Sequence, residues 1–308
     1  MSRIVITEFM DAPGVATLSA AHDVLYDPKL VDEPARMREI AAGADAFIVR
    51  NRTQVRGELL GALTRCKVVA RLGVGLDNID VDACAARGIE VIPAVGANAS
   101  SVAEYVITSA MLLLRGVYGS SGDVIAGRWP RDALSNGREI GGKVLGLVGF
   151  GSIGRVTARL AQGVGMRVVA FDAALDSGNA AYADAGVERV GLEQLLATAD
   201  VVSLHVPLLD STKNLIDAGR LAAMKPGAVL VNAARGGIVD ERALVAALKS
   251  GHLGGAALDV FAVEPLLADN AFAGCPNLLL TPHVAGPSQE SSARISTLIA
   301  DKVMEALG

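Results

Sequence analysis

The chain has 308 residues, 51% of them hydrophobic and only 4% aromatic, and a formal net charge of −5. That length leads us to expect two domains, and a composition rich in Ala, Val, Leu and Ile suits parallel sheets covered by helices. The acidic balance offers no basic field for nucleic acid. The scattered Cys66, Cys84 and Cys275, with four histidines, show neither a disulfide framework nor a zinc-ligand spacing, so neither a nucleic-acid partner nor a metal is expected.

In chain order, Met1 to Glu8 runs straight into an apolar stretch without the core of a signal peptide. Strand-length runs follow at Ile4–Thr7, Val24–Tyr26, Ala46–Val49, Val68–Arg71 and Glu90–Ile92, with helical composition at Glu33–Ala42 and Glu58–Leu63. A long helical pattern then spans Ser100 to about Tyr118, with Asn98 as its cap. Its most apolar part, Val102 to Leu114, contains Glu104 and is too short to span a bilayer. No membrane is expected, and the expected setting is cytoplasmic and reducing.

A second series of runs lies at Val144–Val148, Val168–Phe171, Val201–Val206, Val229–Asn232, Ala256–Val260 and Leu278–Thr281. Helix signals between them fall at Ile153–Gly163, Leu192–Ala197, Lys213–Met224 and Glu241–Lys249, and a last helical segment covers Ser288–Leu307. The chain stops at Gly308, so no C-terminal regulatory module is expected.

The run Lys143 to Val148 leads into Gly149-Phe-Gly151-Ser152-Ile153-Gly154, and Asp172 stands 18 residues beyond Gly154 at the end of the next run. A glycine-rich turn alone is common in α/β proteins. With a strand before it, a helix after it and an acid at the end of the next strand, it reads as a dinucleotide-binding βαβ unit. Gly149 permits the tight turn, Gly151 admits a pyrophosphate to the helix N-terminus, and Gly154 lets helix and sheet pack. A carboxylate at Asp172 suits an adenosine ribose and repels a 2′-phosphate, so NAD is favoured over NADP. The expected fold is α/β with two lobes, a Rossmann dinucleotide-binding domain (98–285) inserted into a flavodoxin-like substrate-binding domain (1–97 and 286–308), with a cleft between them.

Ligands of such sheets bind outside the carboxyl ends of the strands. Arg235, Asp259, Glu264 and His283 all follow predicted strands there. Singly, each has an ordinary reading: a surface ion pair for Arg235, a turn at Glu264-Pro265, a strand cap at His283. Together they suit hydride transfer from an alcohol carbon. A histidine takes the hydroxyl proton, a carboxylate orients the ring, and a guanidinium grips a substrate carboxylate in a fork that lysine lacks.

Several blocks carry a more specific resemblance. Asn232-Ala-Ala-Arg235-Gly-Gly-Ile-Val-Asp240, Ala257-Leu-Asp259-Val-Phe-Ala-Val-Glu264-Pro265 and Thr281-Pro-His283-Val-Ala-Gly286 resemble the signature blocks of the D-isomer-specific 2-hydroxyacid dehydrogenases. So do His205-Val-Pro207-Leu, Met224-Lys-Pro226-Gly and Arg71-Leu-Gly-Val-Gly75-Leu-Asp-Asn78-Ile-Asp80.

The resemblance implies Arg235, Glu264 and His283 as the catalytic set. It implies Gly149, Gly151, Ser152, Ile153, Gly154, Asp172, His205, Pro207, Ala233 and Asp259 as NAD-binding residues, with Asp259 on the nicotinamide carboxamide. It assigns the substrate to Arg50, Arg71 and the amides of Gly73, Val74 and Gly75, and it implies a homodimer through the Ser100–Tyr118 region.

Arg50 and Arg71 end first-lobe strands, as in phosphoglycerate dehydrogenases, which points to a substrate with a second anion. Their alternative is pairing with Asp77 and Asp80. Arg131 lies after the long helix, where it could reach a neighbouring subunit. The block after His283, Val-Ala-Gly-Pro287-Ser-Gln-Glu290, departs from the phosphoglycerate pattern. That leaves 3-phosphoglycerate, sulfolactate and glycerate or hydroxypyruvate as substrate types. Other readings are an NAD(H)-sensing corepressor-like protein and a phosphonate dehydrogenase; a formate dehydrogenase fits poorly because Glu264 stands where that site has an amide.

Overall fold

Apolar runs that must bury both faces become parallel strands, and the computed structural model, which describes residues 1–308, contains two such sheets. The chain divides into two compact units, one of Met1–Asn98 with Pro287–Gly308 and one of Ala99–Gly286.

The first unit begins with β1 (Arg3–Ile6), α1 (Ala12–Ser19), β2 (Asp23–Tyr26), α2 (Pro34–Ala41) and β3 (Ala46–Val49). It continues with α3 (Gly57–Ala62), β4 (Val68–Arg71), α4 (Val81–Ala86) and β5 (Glu90–Pro93). Its sheet has the order β2-β1-β3-β4-β5, the flavodoxin-like order, with parallel pairing throughout. Alternation along β1 sends Ile4 and Ile6 to one face and Val5 to the other, where Phe47 and Val69 meet it. Each such side chain contributes about 1.5–3 kcal/mol on burial.

The second unit opens with α5 (Ala99–Arg115), α6 (Ser121–Ile125) and α7 (Arg131–Leu134), then β6 (Val144–Val148), α8 (Ser152–Gly163), β7 (Arg167–Phe171), α9 (Ala180–Asp184) and β8 (Glu188–Arg189). There follow α10 (Leu192–Thr198), β9 (Val201–Leu204), α11 (Ala218–Ala223), β10 (Val229–Asn232), α12 (Glu241–Lys249), β11 (Gly255–Leu258) and β12 (Leu278–Leu280). The strand order is β12-β11-β10-β9-β6-β7-β8, all parallel. The chain leaves β6 to one side for β7 and β8, then returns to the other side for β9. That reversal opens a crevice beyond the carboxyl ends of β6 and β9, and the two helix-covered sheets make the α/β fold expected above. The last helix, α13 (Gln289–Leu307), returns to the first unit, where Ile295, Ile299 and Val303 pack under its sheet with Leu18 of α1. Ser288 and Ser291 close a reciprocal capping box at its start.

Several boundaries differ from the sequence reading for local reasons. The helix expected at Lys213–Met224 starts only at Ala218, because Asp217 caps it through Arg220 N and the preceding residues form a bridge of Ile216 to Val239. The helix expected to reach Tyr118 stops at Arg115, where Gly116 takes a φ of +63° and ends it. Asn98 does not cap α5, since its buried Oδ1 accepts no hydrogen bond. The strand expected to run to Val206 ends at Leu204. Five short helices (α1, α4, α6, α7 and α9) and the two-residue β8 carry too little apolar periodicity to be read from sequence. No helix is long and apolar enough to cross a membrane.

Candidate active site

In the second unit the candidate residues gather at the carboxyl edge of one sheet. β6 ends in Gly149, whose φ of +100° an L side chain rarely adopts; a Cβ there would lie 2.7 Å from the carbonyl of His205. Gly154 approaches closely too, its Cβ position 2.5 Å from the Gly149 oxygen. The next helix, α8, starts at Ser152 behind Gly151 and carries no side-chain cap. Its first amides, those of Ser152 and Ile153 among them, are therefore left for an outside acceptor. Nothing lies within 4 Å of where a Cβ of Gly151 would stand. An open, uncapped helix N-terminus after a glycine turn fits a dinucleotide pyrophosphate.

Asp172, at the end of β7, accepts from Phe150 N at 2.7 Å through Oδ2 and from Ala174 N at 2.8 Å through Oδ1. Its carboxylate is thus locked to the glycine turn, and each oxygen keeps a lone pair for a ribose hydroxyl. Phe150 is fully buried and stacks on Tyr182 with ring centroids 4.9 Å apart, so the turn rests on a rigid base. His205 follows β9; its Nε2 lies 3.0 Å from Ser203 Oγ, and burial pushes its pKa down to about 4. It is a neutral imidazole at neutral pH. Pro207 is exposed just beyond it, with the apolar Leu208 and Leu209.

Across the crevice the ends of β10, β11 and β12, neighbours in the sheet, carry Arg235, Asp259 and His283. Asn232 braces the loop with Ala233: its Oδ1 accepts from Ala234 N, and its Nδ2 donates to Arg235 O at 2.9 Å. Gly236 brings that loop against the backbone at Phe261, whose oxygen occupies the space a Cβ would need. The same Phe261 donates its N–H to Glu264 Oε1 at 3.0 Å, and Glu264 Oε2 lies 2.7 Å from His283 Nδ1. The His283 side chain is 51% exposed, which leaves its outer edge open to solvent or a ligand.

Asp259 is only 1% exposed, and its carboxylate is engaged by the chain: Thr281 Oγ1 and Val284 N donate to Oδ1 at 2.6 and 2.8 Å, Ala285 N to Oδ2 at 2.8 Å. The sequence reading missed this bracing of the His283 loop. His283 itself has a φ of +57°, a conformation costing about 1–3 kcal/mol that persists only where surroundings impose it.

The first unit presents its own polar edge. Arg50 follows β3, and Arg71 ends the adjacent strand β4. Glu8, 5% exposed at the end of β1, accepts from the amides of Arg50, Arg52 and Thr53 at 2.9 to 3.1 Å. From the other side Asn78 Nδ2 donates to the carbonyls of Arg50 and Thr53. Glu8 was invisible in sequence; the signal that could have found it is an acid at the carboxyl end of β1. The Arg50 guanidinium lies 5.7 Å above the Phe9 ring. That of Arg71 covers Gly73, and the amides of Val74 and Gly75 have no backbone acceptor. Asp80, weighed as an arginine partner, instead caps α4 through Ala83 N. No group of His, Cys, Asp and Glu stands together as a metal site.

The pattern described as "D-isomer specific 2-hydroxyacid dehydrogenase, NAD binding domain" matches residues 107–285. The chain is 53% identical to an (S)-sulfolactate dehydrogenase of Chromohalobacter salexigens over 100% of its own length and 99% of that protein. It is 40% identical to a D-3-phosphoglycerate dehydrogenase of Mycobacterium tuberculosis over 96% of its length, and spans 56% of that relative. Among solved structures, a glyoxylate reductase from Paecilomyes thermophila superposes with a TM-score of 0.87 at 29% identity, covering 99% of this chain and 95% of that one. An NAD-binding domain matched over more than half the chain, a relative aligned from end to end and a crevice built for a dinucleotide agree: the chain belongs to the D-isomer-specific 2-hydroxyacid dehydrogenases and is an NAD-dependent oxidoreductase of hydroxy acids.

Proposed function

We propose that the chain oxidises a small 2-hydroxy acid bearing a second anionic group, with a sulfolactate as the first candidate, and that His283, Glu264 and Arg235 carry the reaction. When bound, NAD supplies the acceptor for the hydride that leaves the alcohol carbon. The observation that carries the reading is the 2.7 Å contact of Glu264 Oε2 with His283 Nδ1. A carboxylate can only accept there, so Nδ1 bears the proton and Nε2 is left with its lone pair. Nε2 then takes the hydroxyl proton as the carbon is oxidised, and the charge that develops on the ring is met by Glu264, itself anchored through Phe261 N. The substrate carboxylate falls to the guanidinium of Arg235, whose fork matches it.

Asp172 is assigned the adenosine ribose, the amides after Gly151 the pyrophosphate, and His205, Pro207 and Ala233 the wall of the cofactor crevice. Asp259 keeps one lone pair on Oδ2 for a carboxamide, beside its bracing duty. The second anion of the substrate is assigned to Arg50 and Arg71, with the amides of Gly73, Val74 and Gly75 for the carboxylate. The full-length match to a sulfolactate dehydrogenase supports the choice of anion. A domain division near residues 98 and 286, a cytoplasmic setting and a homodimer belong to the same reading. Tyr118, Val124, Ile125 and Trp129 are exposed apolar residues in the segment after α5, and a second copy would cover them.

The test is NADH formation with lactate, glycerate, 3-phosphoglycerate and both enantiomers of sulfolactate. A kcat/KM at least about tenfold higher for a sulfonated or phosphorylated acid than for lactate, the worth of one charge-assisted hydrogen bond, supports the second anion. Equal values across the panel would remove it.

A further inference from the structure

The loop that carries His283 hangs on one buried carboxylate, and that carboxylate is reached by a helix the reaction does not otherwise use. Besides the three donors to its side chain, Asp259 accepts His283 N on its backbone oxygen at 2.8 Å. Residues 281, 283, 284 and 285 are thereby tied to a single residue, which explains how a left-handed histidine is held. Thr281 Oγ1 also lies 2.7 Å from the hydroxyl of Tyr105, on α5. The polarity of this chain follows from the donors available. Thr281 has one hydroxyl proton and donates it to Asp259 Oδ1; the lone pairs of Thr281 Oγ1 therefore receive the proton of Tyr105. Burial raises the Tyr105 pKa and keeps that hydroxyl a donor.

We infer that Tyr105 and Thr281 are positioning residues for the reaction, a one-way hydrogen-bond chain from α5 through Asp259 that sets the place of the His283 ring. The inference rests on the reading of His283 as the acid/base. Tyr105 is separated from Thr281 by 176 positions, and neither touches the imidazole through any hydrogen bond. Their effect is on geometry, which transfer between closely placed atoms senses steeply.

The experiment compares Thr281→Val, Thr281→Ser, Tyr105→Phe and His283→Gln, using the panel acid with the highest kcat/KM. For each, kcat, KM, the Kd for NADH by fluorescence and the thermal midpoint are measured. Thr281→Val keeps shape and loses the hydroxyl, so kcat falls about ten- to a hundredfold, the cost of a small misplacement of the reacting groups. Tyr105→Phe removes one bond further back and lowers kcat about two- to tenfold. NADH affinity holds in both, because the glycine turn and Asp172 are untouched and Val284 N and Ala285 N still hold the Asp259 carboxylate, and Thr281→Ser recovers most of the lost kcat. If Thr281→Val proves unfolded, Tyr105→Phe decides alone. Wild-type kcat in Thr281→Val and Tyr105→Phe beside an inactive His283→Gln overturns the positioning chain and leaves the acid/base assignment standing. Equal losses in Thr281→Ser and Thr281→Val overturn it as well. Wild-type kcat in His283→Gln would sink the acid/base assignment and this inference with it.

Discussion

Glu264 holds His283 with one oxygen and the backbone at Phe261 with the other, at 2.7 and 3.0 Å. The carboxylate therefore cannot turn away from the imidazole without losing an amide partner, and the ring is presented in one tautomer. Glu264→Gln retains an acceptor for Phe261 N but takes away the charge that stabilises the protonated ring. We predict a fall in kcat of about ten- to a hundredfold with NADH affinity unchanged. Steady-state rates and a fluorescence titration check it, and unchanged kcat would show the pair to be structural.

Asp172 closes the glycine turn and, in the proposed reading, also faces a ribose. Asp172→Asn keeps an acceptor for Phe150 N while removing the charge that opposes a 2′-phosphate. The expected result is a preference for NAD over NADP reduced about tenfold or more in kcat/KM, a loss of roughly 1.4 kcal/mol of like-charge repulsion. A preference left intact would place cofactor choice elsewhere.

Arg50 sits over Phe9 at the edge of the first unit's sheet, its backbone pinned by Glu8 and Asn78. Since the loop is held by the main chain, Arg50→Gln should leave the fold alone. We predict that KM for a sulfonated or phosphorylated acid rises about tenfold or more while KM for lactate moves little, as loss of a charge-assisted bond requires. Parallel losses for both acids would dispose of the second-anion role.

His205 gives a pH prediction of definite sign. Burial lowers its folded pKa to about 4, against an ordinary value near 6.5. Between those values the unfolded chain binds the proton and the folded chain does not. Stability is therefore whole above about pH 6.5 and declines as pH falls towards 4, by up to about 3 kcal/mol. His205→Gln should flatten that part of a plot of thermal midpoint against pH. A plot with the same slope in both proteins would locate the acid sensitivity in other groups.

Much of this architecture was legible in the sequence because the strands are short, apolar and bounded by polar or glycine residues. β3, β4, β6, β10 and α12 fall where the runs place them. Reading failed where a local device outweighs periodicity: Asp217 delays α11 and Gly116 cuts α5 short. Residues at strand ends, such as Arg235, Glu264 and His283, stand out because parallel sheets concentrate ligand groups there. Glu8 and Tyr105 do not, since their partners lie 42 and 176 positions away and only the folded chain brings them together. Asp259 stood out in sequence as a strand-end acid, but its bracing of the His283 loop did not, since Thr281, Val284 and Ala285 reach its carboxylate only in the folded chain.

The most direct measurement is turnover of His283→Gln at saturating NAD and hydroxy acid, paired with calorimetry of NADH binding to the same protein. The account predicts NADH uptake close to that of the unsubstituted chain and a kcat lower by about a hundredfold or more, the worth of a general base. Unimpaired kcat, with NADH bound as before, would contradict it.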